Sequence, residues 1–187
     1  IVGEEMQYVE VELDPSETAI AEAGSFMLMD DGITMQTIFG DGSAQQQTGV
    51  LGKLFSAGKR LLTGESLFMT AYTNTGQGKK RVSFASPYPG KIIAMDLQKL
   101  GGRLICQKDA FLCAAKGVSV GIALQRKLGT GLFGGEGFIM QKLEGDGMVF
   151  IHAGGTIVER ELKAGERLDV DTGCVVAMTS TVNFDIK

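Results

Sequence analysis

The 187-residue sequence predicts an all-β domain assembled from about three copies of one β-rich unit. Three observations predict it. Residues 7–29 and 156–178 align without a gap at a constant offset, with seven identities in 23 positions. Glycine is abundant at 27 residues and proline scarce at 3, and turn signals separate short apolar runs at the roughly 8–12-residue spacing of barrels, sandwiches and prisms. A hydrophobic fraction of 44% against 21% charged supports a packed core in one domain of this length.

In the first copy, Gln7–Met29, the identities with the last copy are Val9/Val158, Glu10/Glu159, Glu12/Glu161, Leu13/Leu162, Glu17/Glu166, Gly24/Gly173 and Met29/Met178. A middle copy runs over Gly90–Ala114, with Ile92-Ile93, Leu97, Arg103-Leu104 and Phe111-Leu112 on the same pattern. Gly64-Glu65-Ser66-Leu67-Phe68-Met69 matches Gly135-Glu136-Gly137-Phe138-Ile139-Met140. Each is followed at equal distance by a glycine (Gly76, Gly147) and then a new apolar strand. The reading is one domain over 1–187 with approximate repeats 1–47, 48–115 and 116–187.

Turns are expected at Leu13–Glu17, Lys99–Arg103 and Lys163–Glu166, where Gly, Pro, Ser and Asp interrupt strand patterns. Glu144-Gly145-Asp146-Gly147 predicts a hairpin. Two segments predict short connecting helices. Over Leu51–Leu62, apolar residues at near 3.6 periodicity alternate with Lys53, Lys59 and Arg60. Val120–Leu128 carries a weaker pattern, with Gln125-Arg126-Lys127 as its polar stretch.

Net charge is −4 and the sequence pI about 5.1, so no global attraction to phosphate backbones exists and nucleic-acid binding would need a local basic patch. No apolar run reaches the roughly 18 residues of a membrane-spanning helix. The opening Ile1-Val2-Gly3-Glu4-Glu5 is unlike a signal peptide, and the chain does not start with Met. Cys106, Cys113 and Cys174 form no CxxC pair. Cys113 and Cys174 lie in apolar runs, which predicts buried, reduced thiols and a cytoplasmic setting.

As a set, Ala23-Gly24-Ser25-Phe26-Met27, Gly64–Phe68, Pro89-Gly90-Lys91-Ile92-Ile93 and Gly131–Phe138 resemble the altered-inheritance-of-mitochondria family, in its prokaryotic, uncharacterised branch. The resemblance covers nearly the whole chain. It implies a double-stranded β-helix type of β-barrel like the tryptophan RNA-binding attenuation protein (a TRAP-like barrel), a cytoplasmic protein in prokaryotes, and a link to mitochondrial membrane organisation in eukaryotes. It supplies no catalytic or ligand residue, and fold analogy does not transfer tryptophan or RNA as ligands.

The usual catalytic sets do not assemble from this sequence. The single histidine, His152, cannot build the multi-histidine metal site of a cupin-like enzyme, and no GxSxG elbow is present. His152 is expected at a strand end, with a ligand or general-base role as the alternative. Gly129-Thr130-Gly131-Leu132-Phe133-Gly134 matches GxGxxG but lies between a charged stretch and a strand, the wrong context for a dinucleotide loop. Asp169 and Asp171 alternate along a predicted strand and share a face. With His152 they are the candidate ligand anchors. Lys53, Lys59, Arg60 and Lys79-Lys80-Arg81 are the basic concentrations, candidates for an anionic-lipid or RNA contact. Few aromatics accompany them: the chain has no Trp and 3 Tyr.

The functional expectation is a non-enzymatic binding or scaffold protein that self-associates as a homo-oligomer, without metal or cofactor. The alternatives are a small-ligand binder or enzyme with a pocket at repeat junctions, and a membrane-surface or RNA adaptor using the basic loops.

Overall fold

The structure is a computed structural model that describes residues 1–39, 68–126 and 138–186. It contains thirteen strands: β1 (Tyr8–Leu13), β2 (Thr18–Glu22), β3 (Phe26–Met29), β4 (Ile33–Phe39), β5 (Phe68–Asn74), β6 (Lys80–Ala85), β7 (Lys91–Asp96), β8 (Arg103–Gln107), β9 (Phe111–Ala115), β10 (Ser119–Arg126), β11 (Phe138–Glu144), β12 (Met148–Ala153) and β13 (Ala177–Thr179). Among the described residues the helical pieces are single 3-10 turns, at Lys108–Ala110 and Thr172–Cys174. The described residues are therefore nearly all β, as the turn spacing predicts.

The strands form three sheets, ordered β1-β6-β3, β4-β5-β2-β9-β12-β7 and β10-β11-β8-β13. Every strand pair is antiparallel. The sheets are open and do not close into the expected barrel. Closure requires end strands to find partners, and β3 ends its sheet without one.

The pairing is crossed: apart from β4/β5 and β10/β11, consecutive strands sit in different sheets. β1 and β3 flank β6, as β7 and β9 flank β12. β4 and β2 flank β5, as β10 and β8 flank β11. β2 then joins β9, as β8 joins β13.

Alternation sets which face of each strand is buried. In β1, Val9 and Leu13 point inward and Glu10 outward, the period-two pattern of a half-covered strand. One core cluster gathers Val9, Leu13, Tyr72, Val82, Phe84 and Leu112, with Tyr72 and Phe84 edge-to-face at 5.0 Å. A second gathers Ile20, Met69, Leu104, Phe111, Leu143 and Ile151. Ala21 and Cys113, opposite one another on the β2–β9 seam, belong to the first cluster, while Ile20 and Ala114 belong to the second. That seam thus separates the two cores.

Two local expectations are corrected. Val120–Arg126 is not helical: these residues lie in β10, paired with β11, and residues 127–128 lie outside the described residues. Val120, Ile122 and Leu124 alternate at period two, and a bulge between Ile122 and Leu124 perturbs the register, which makes a short strand mimic a weak helical spacing. Glu144–Gly147 is not a hairpin, because β11 and β12 pair in different sheets. It is a corner, fixed by a hydrogen bond from Gly145 N to Gly102 O at 3.0 Å. The helix expected at Leu51–Leu62 lies outside the described residues, as does the GxGxxG loop.

Candidate functional site

The regions at issue are the two stretches that share the sequence pattern, residues 8–29 and 157–178. Their turns are built alike. At the first, Glu17 N donates to Asp14 O at 2.9 Å and Asp14 N donates to Glu17 Oε2 at 2.7 Å. At the second, Glu166 N donates to Lys163 O at 2.9 Å and Lys163 N donates to Glu166 Oε2 at 2.9 Å. The left-handed position is Ser16 in one (φ 73°) and Gly165 in the other (φ 80°). A carboxylate one residue past each left-handed position ties the loop back on itself, which is why Glu17 and Glu166 coincide in the sequence.

The flanking segments then diverge. β1 pairs with β6, and β2 pairs with β5 and β9. Residues 157–171 form no ladder. Val9 is 2% exposed and its counterpart Val158 74%; Ala21 is fully buried and Val170 49% exposed. Ile157 and Leu168 are exposed as well. β3 presents Phe26, Met27 and Leu28, 39–48% exposed, along the last strand of its sheet. Among the described residues β3 is paired on one side, with β6, and residues 157–171 join no sheet.

The basic run is engaged by β1. Lys79 Nζ lies 2.6 Å from Glu12 Oε1. Arg81 reaches Glu10 at 3.7 Å and Glu12 at 3.6 Å, and its main-chain N–H donates to Asp30 Oδ2 at 2.8 Å. The Lys79 hydrogen bond and charge, with Arg81, hold Glu12 below the ordinary carboxyl range and Glu12 holds Lys79 above the ordinary amine range. Lys80 lies half-buried opposite Leu13. Lys53, Lys59 and Arg60 are outside the described residues.

His152 is buried at 8% exposure near the end of β12. Its Nε2 lacks a hydrogen-bond partner, and burial pushes its pKa down, partly offset by a hydrogen bond with the Tyr88 main chain. The ring packs on Gly90, where a Cβ would stand 2.3 Å from Ala153 O and 2.6 Å from His152 Nε2. Nothing larger than glycine fits beneath it. Asp169 is exposed and pairs with Arg167 at 2.8 Å. Asp171 caps the 3-10 turn by accepting from Gly173 N at 2.9 Å. Gln107 does the same for the turn after β8 by accepting from Asp109 N. Asp171 and Gln107 thus act as turn caps, and among the described residues no hydrogen bond or ion pair joins His152 to either aspartate. Among the described residues, no group of three His, Cys, Asp or Glu converges as a metal site.

Cys106 and Cys113 are buried, which raises the Cys106 thiol to about 12, with the Glu22 carboxylate adding to the shift, and pushes Cys113 up further. Both are unreactive core thiols. Cys174 is exposed, contrary to the buried thiol its apolar run predicts. Its counterparts Ser25 and Ala110 are buried, and the residues after Cys174 run onto the edge of β8, where Val176 O accepts from Gln107 N. A shallow depression of about 340 Å3 is lined by Ala94, Met95, Asp96, Lys99, Leu100 and Met148. Its two charges neutralise one another, with Lys99 3.3 Å from Asp96. Gln141, buried on β11 opposite Cys106, leaves both side-chain polar atoms without partners. A glutamine ending the run Phe138-Ile139-Met140 was the signal that could have marked it.

No helix among the described residues is long and apolar enough to cross a membrane. A protein of Streptococcus pyogenes serotype M6, itself uncharacterised, is 30% identical over 191 aligned positions, covering 99% of this chain and 72% of that protein. The crystal structure of another S. pyogenes protein superposes with a TM-score of 0.58 at 20% identity, which speaks to fold alone. The match takes in 83% of this chain, which spans 63% of that structure's chain. The profile of the mitochondrial biogenesis AIM24 family matches residues 1–187, and the chain belongs to that family.

Proposed function

We propose that the chain is a non-enzymatic binding or scaffold protein that self-associates by strand addition at its sheet edges. One observation carries the reading. The seam that joins β2 to β9 and β8 to β13 is left unmade by β3 and by residues 167–171, the third pair of counterparts. Both are exposed and apolar, through Phe26, Met27 and Leu28 on one side and Leu168 and Val170 on the other. Residues 167–171 of one copy added to β3 of the next would complete the seam. An unpaired edge with an apolar face is a template for such addition. The finer likeness to a TRAP-like, double-stranded β-helix barrel belongs to this reading, since closure needs these edges covered. A cytoplasmic setting suits three free thiols.

The pocket alternative has less support, because Asp169 and Asp171 are occupied by Arg167 and by a turn. The membrane or RNA alternative has less support because Lys79 and Arg81 are neutralised by Glu10 and Glu12. Native mass spectrometry across a concentration series tests the proposal. A defined oligomer is expected, dissociated by Met27→Lys on the β3 edge. A chain that stays monomeric at every concentration, or an oligomer indifferent to that charge, overturns it.

A further inference from the structure

Residues 2–8 form a clip on the outer edge of β7, the last strand of the six-stranded sheet. Val2 N donates to Tyr8 O at 2.9 Å and Tyr8 N donates to Val2 O at 3.0 Å, which folds the segment into a small loop. Gly90 N donates to Glu5 O at 2.8 Å, and Ile92 N donates to the side-chain Oε1 of Gln7 at 2.7 Å. Lys91 Nζ donates to Glu4 O at 2.5 Å, and Gln7 Nε2 donates back to Gly3 O at 3.2 Å. Gly90 and Ile92 are two apart, so both N–H groups leave the same side of the strand, away from β12. The clip covers donors that an open sheet edge would present to another strand.

His152 stands beneath this clip. It lies opposite Ile92 on β12 and shares a face with Phe150, which packs on the cluster containing Ile92 and Cys113. The ring is buried, and its Nε2 has no hydrogen-bond partner. Gly90 approaches so closely that a Cβ there would fall 2.6 Å from that nitrogen. The other ring nitrogen bonds the Tyr88 main chain, which leaves Nε2 as the lone-pair nitrogen of the neutral ring. Protonation turns Nε2 into a buried cationic N–H with no acceptor, a far costlier arrangement than a bare lone pair.

The charged groups around the ring do not answer that charge. On β7 they are Lys91, a second cation, and Asp96, which pairs with Lys99. On β9 the Cys113 thiol is kept protonated by burial. In the 3-10 turn that contacts β12, Lys108 is a cation and Asp109 accepts from Gln107. In the clip, Glu4, Glu5 and Tyr8 bond through main-chain atoms, and both glutamates are exposed. Tyr88 is 70% exposed.

We propose that His152 is a pH-sensitive pin, whose neutral ring seats Gly90 and whose protonation releases residues 2–7 from the edge of β7. Burial lowers its pKa from the ordinary 6.5, so the closed clip binds the proton less well than the open one. The closed form is fully favoured above 6.5 and loses ground as pH falls from there to the lowered value, by at most about tenfold per pH unit. The device involves neither β3 nor residues 167–171, so it stands or falls apart from the self-association proposed above.

The test is amide exchange followed by NMR on the full chain, corrected for the intrinsic pH dependence of exchange. It runs between about pH 7.5 and about pH 5.5, above the range in which exposed carboxylates titrate. His152 is the single histidine, so its imidazole resonances report its midpoint without ambiguity. That midpoint is expected below 6.5. Through the same transition, protection at Gly90 and Ile92 should fall at least about threefold, while the amides of the central strands β2 and β5 keep theirs. His152→Gln carries no titrating group, and its Gly90 and Ile92 protection should stay level across the range. A midpoint at or above 6.5, level protection in the unaltered chain, or a pH response that survives His152→Gln overturns the proposal. So does a loss shared by β2 and β5, which would make the effect global unfolding.

Discussion

Residues 8–29 and 157–178 carry one pattern and reach two structural outcomes. The turns match bond for bond: Glu17 closes on Asp14 as Glu166 closes on Lys163. The strands do not match, because β1 and β2 have neighbouring strands while 157–171 joins no sheet among the described residues. A turn is a local object, satisfied within four residues. A strand is half of a pair, and its apolar face is buried when another strand crosses it. The identity of Val9 with Val158 therefore encodes which way a side chain would face and leaves open whether anything covers it.

The sharpest way to break the comparison is to place the same charge in both regions. Val9→Asp should cost at least about 3 kcal/mol or abolish folding, since it buries an unpaired carboxylate. Val158→Asp should stay within about 0.5 kcal/mol, as exposed substitutions do. Urea midpoints decide it, and a large loss from Val158→Asp would mean that the segment is covered in solution.

A smaller effect is expected at the turn apices. Ser16 holds a left-handed conformation that Gly165 adopts freely. Ser16→Gly should raise stability by up to about 1 kcal/mol by thermal melt. Gly165→Ala should leave the global midpoint unmoved, because no ladder depends on that turn. Equal and opposite shifts would instead couple the last stretch to the core.

The smallest effect concerns the glutamates. Lys79 and Arg81 lower the Glu12 pKa in the folded chain, so the unfolded state binds more protons near its ordinary value of 4.5. The stabilisation is present above that value and is lost as pH falls through the lowered folded value. Glu12→Gln should lower the urea midpoint near neutral pH and leave it unchanged in acid, whereas Glu161→Gln should be silent at both. A pH-dependent loss at Glu161 would reveal a cation already beside it.

Much of this was legible in the sequence, and the limits have physical causes. The class followed from glycine spacing and from alternation such as Val9, Val11, Leu13. The turn at Lys163–Glu166 followed from its own residues. The pairing partners did not, because alternation is silent on which strand lies alongside. Glu144–Gly147 reads as a hairpin and is a corner. Val120–Arg126 was ambiguous because Val120, Ile122 and Leu124 fit a period of two while Val120 and Leu124, four apart, also fit a helical turn. Asp171 reads as half of a carboxylate pair, yet its neighbour Gly173 makes it a cap. His152 was placed at a strand end from its neighbours Ala153-Gly154-Gly155, but its burial on Gly90 depends on a segment 62 positions earlier in the sequence.

The crossed pairing also governs how this chain comes off a ribosome. β1 cannot pair until β6 exists, and Leu13 waits for Lys80, 67 residues later. At roughly 5–20 residues per second, that is a delay of several seconds. Ala21 waits still longer for Cys113. For that interval Tyr8–Met29 is nascent chain with an uncovered apolar face, the kind of surface that trigger-type chaperones meet at the exit tunnel. A protein with so many distant contacts folds slowly, and its yield in a cell should respond to translation speed.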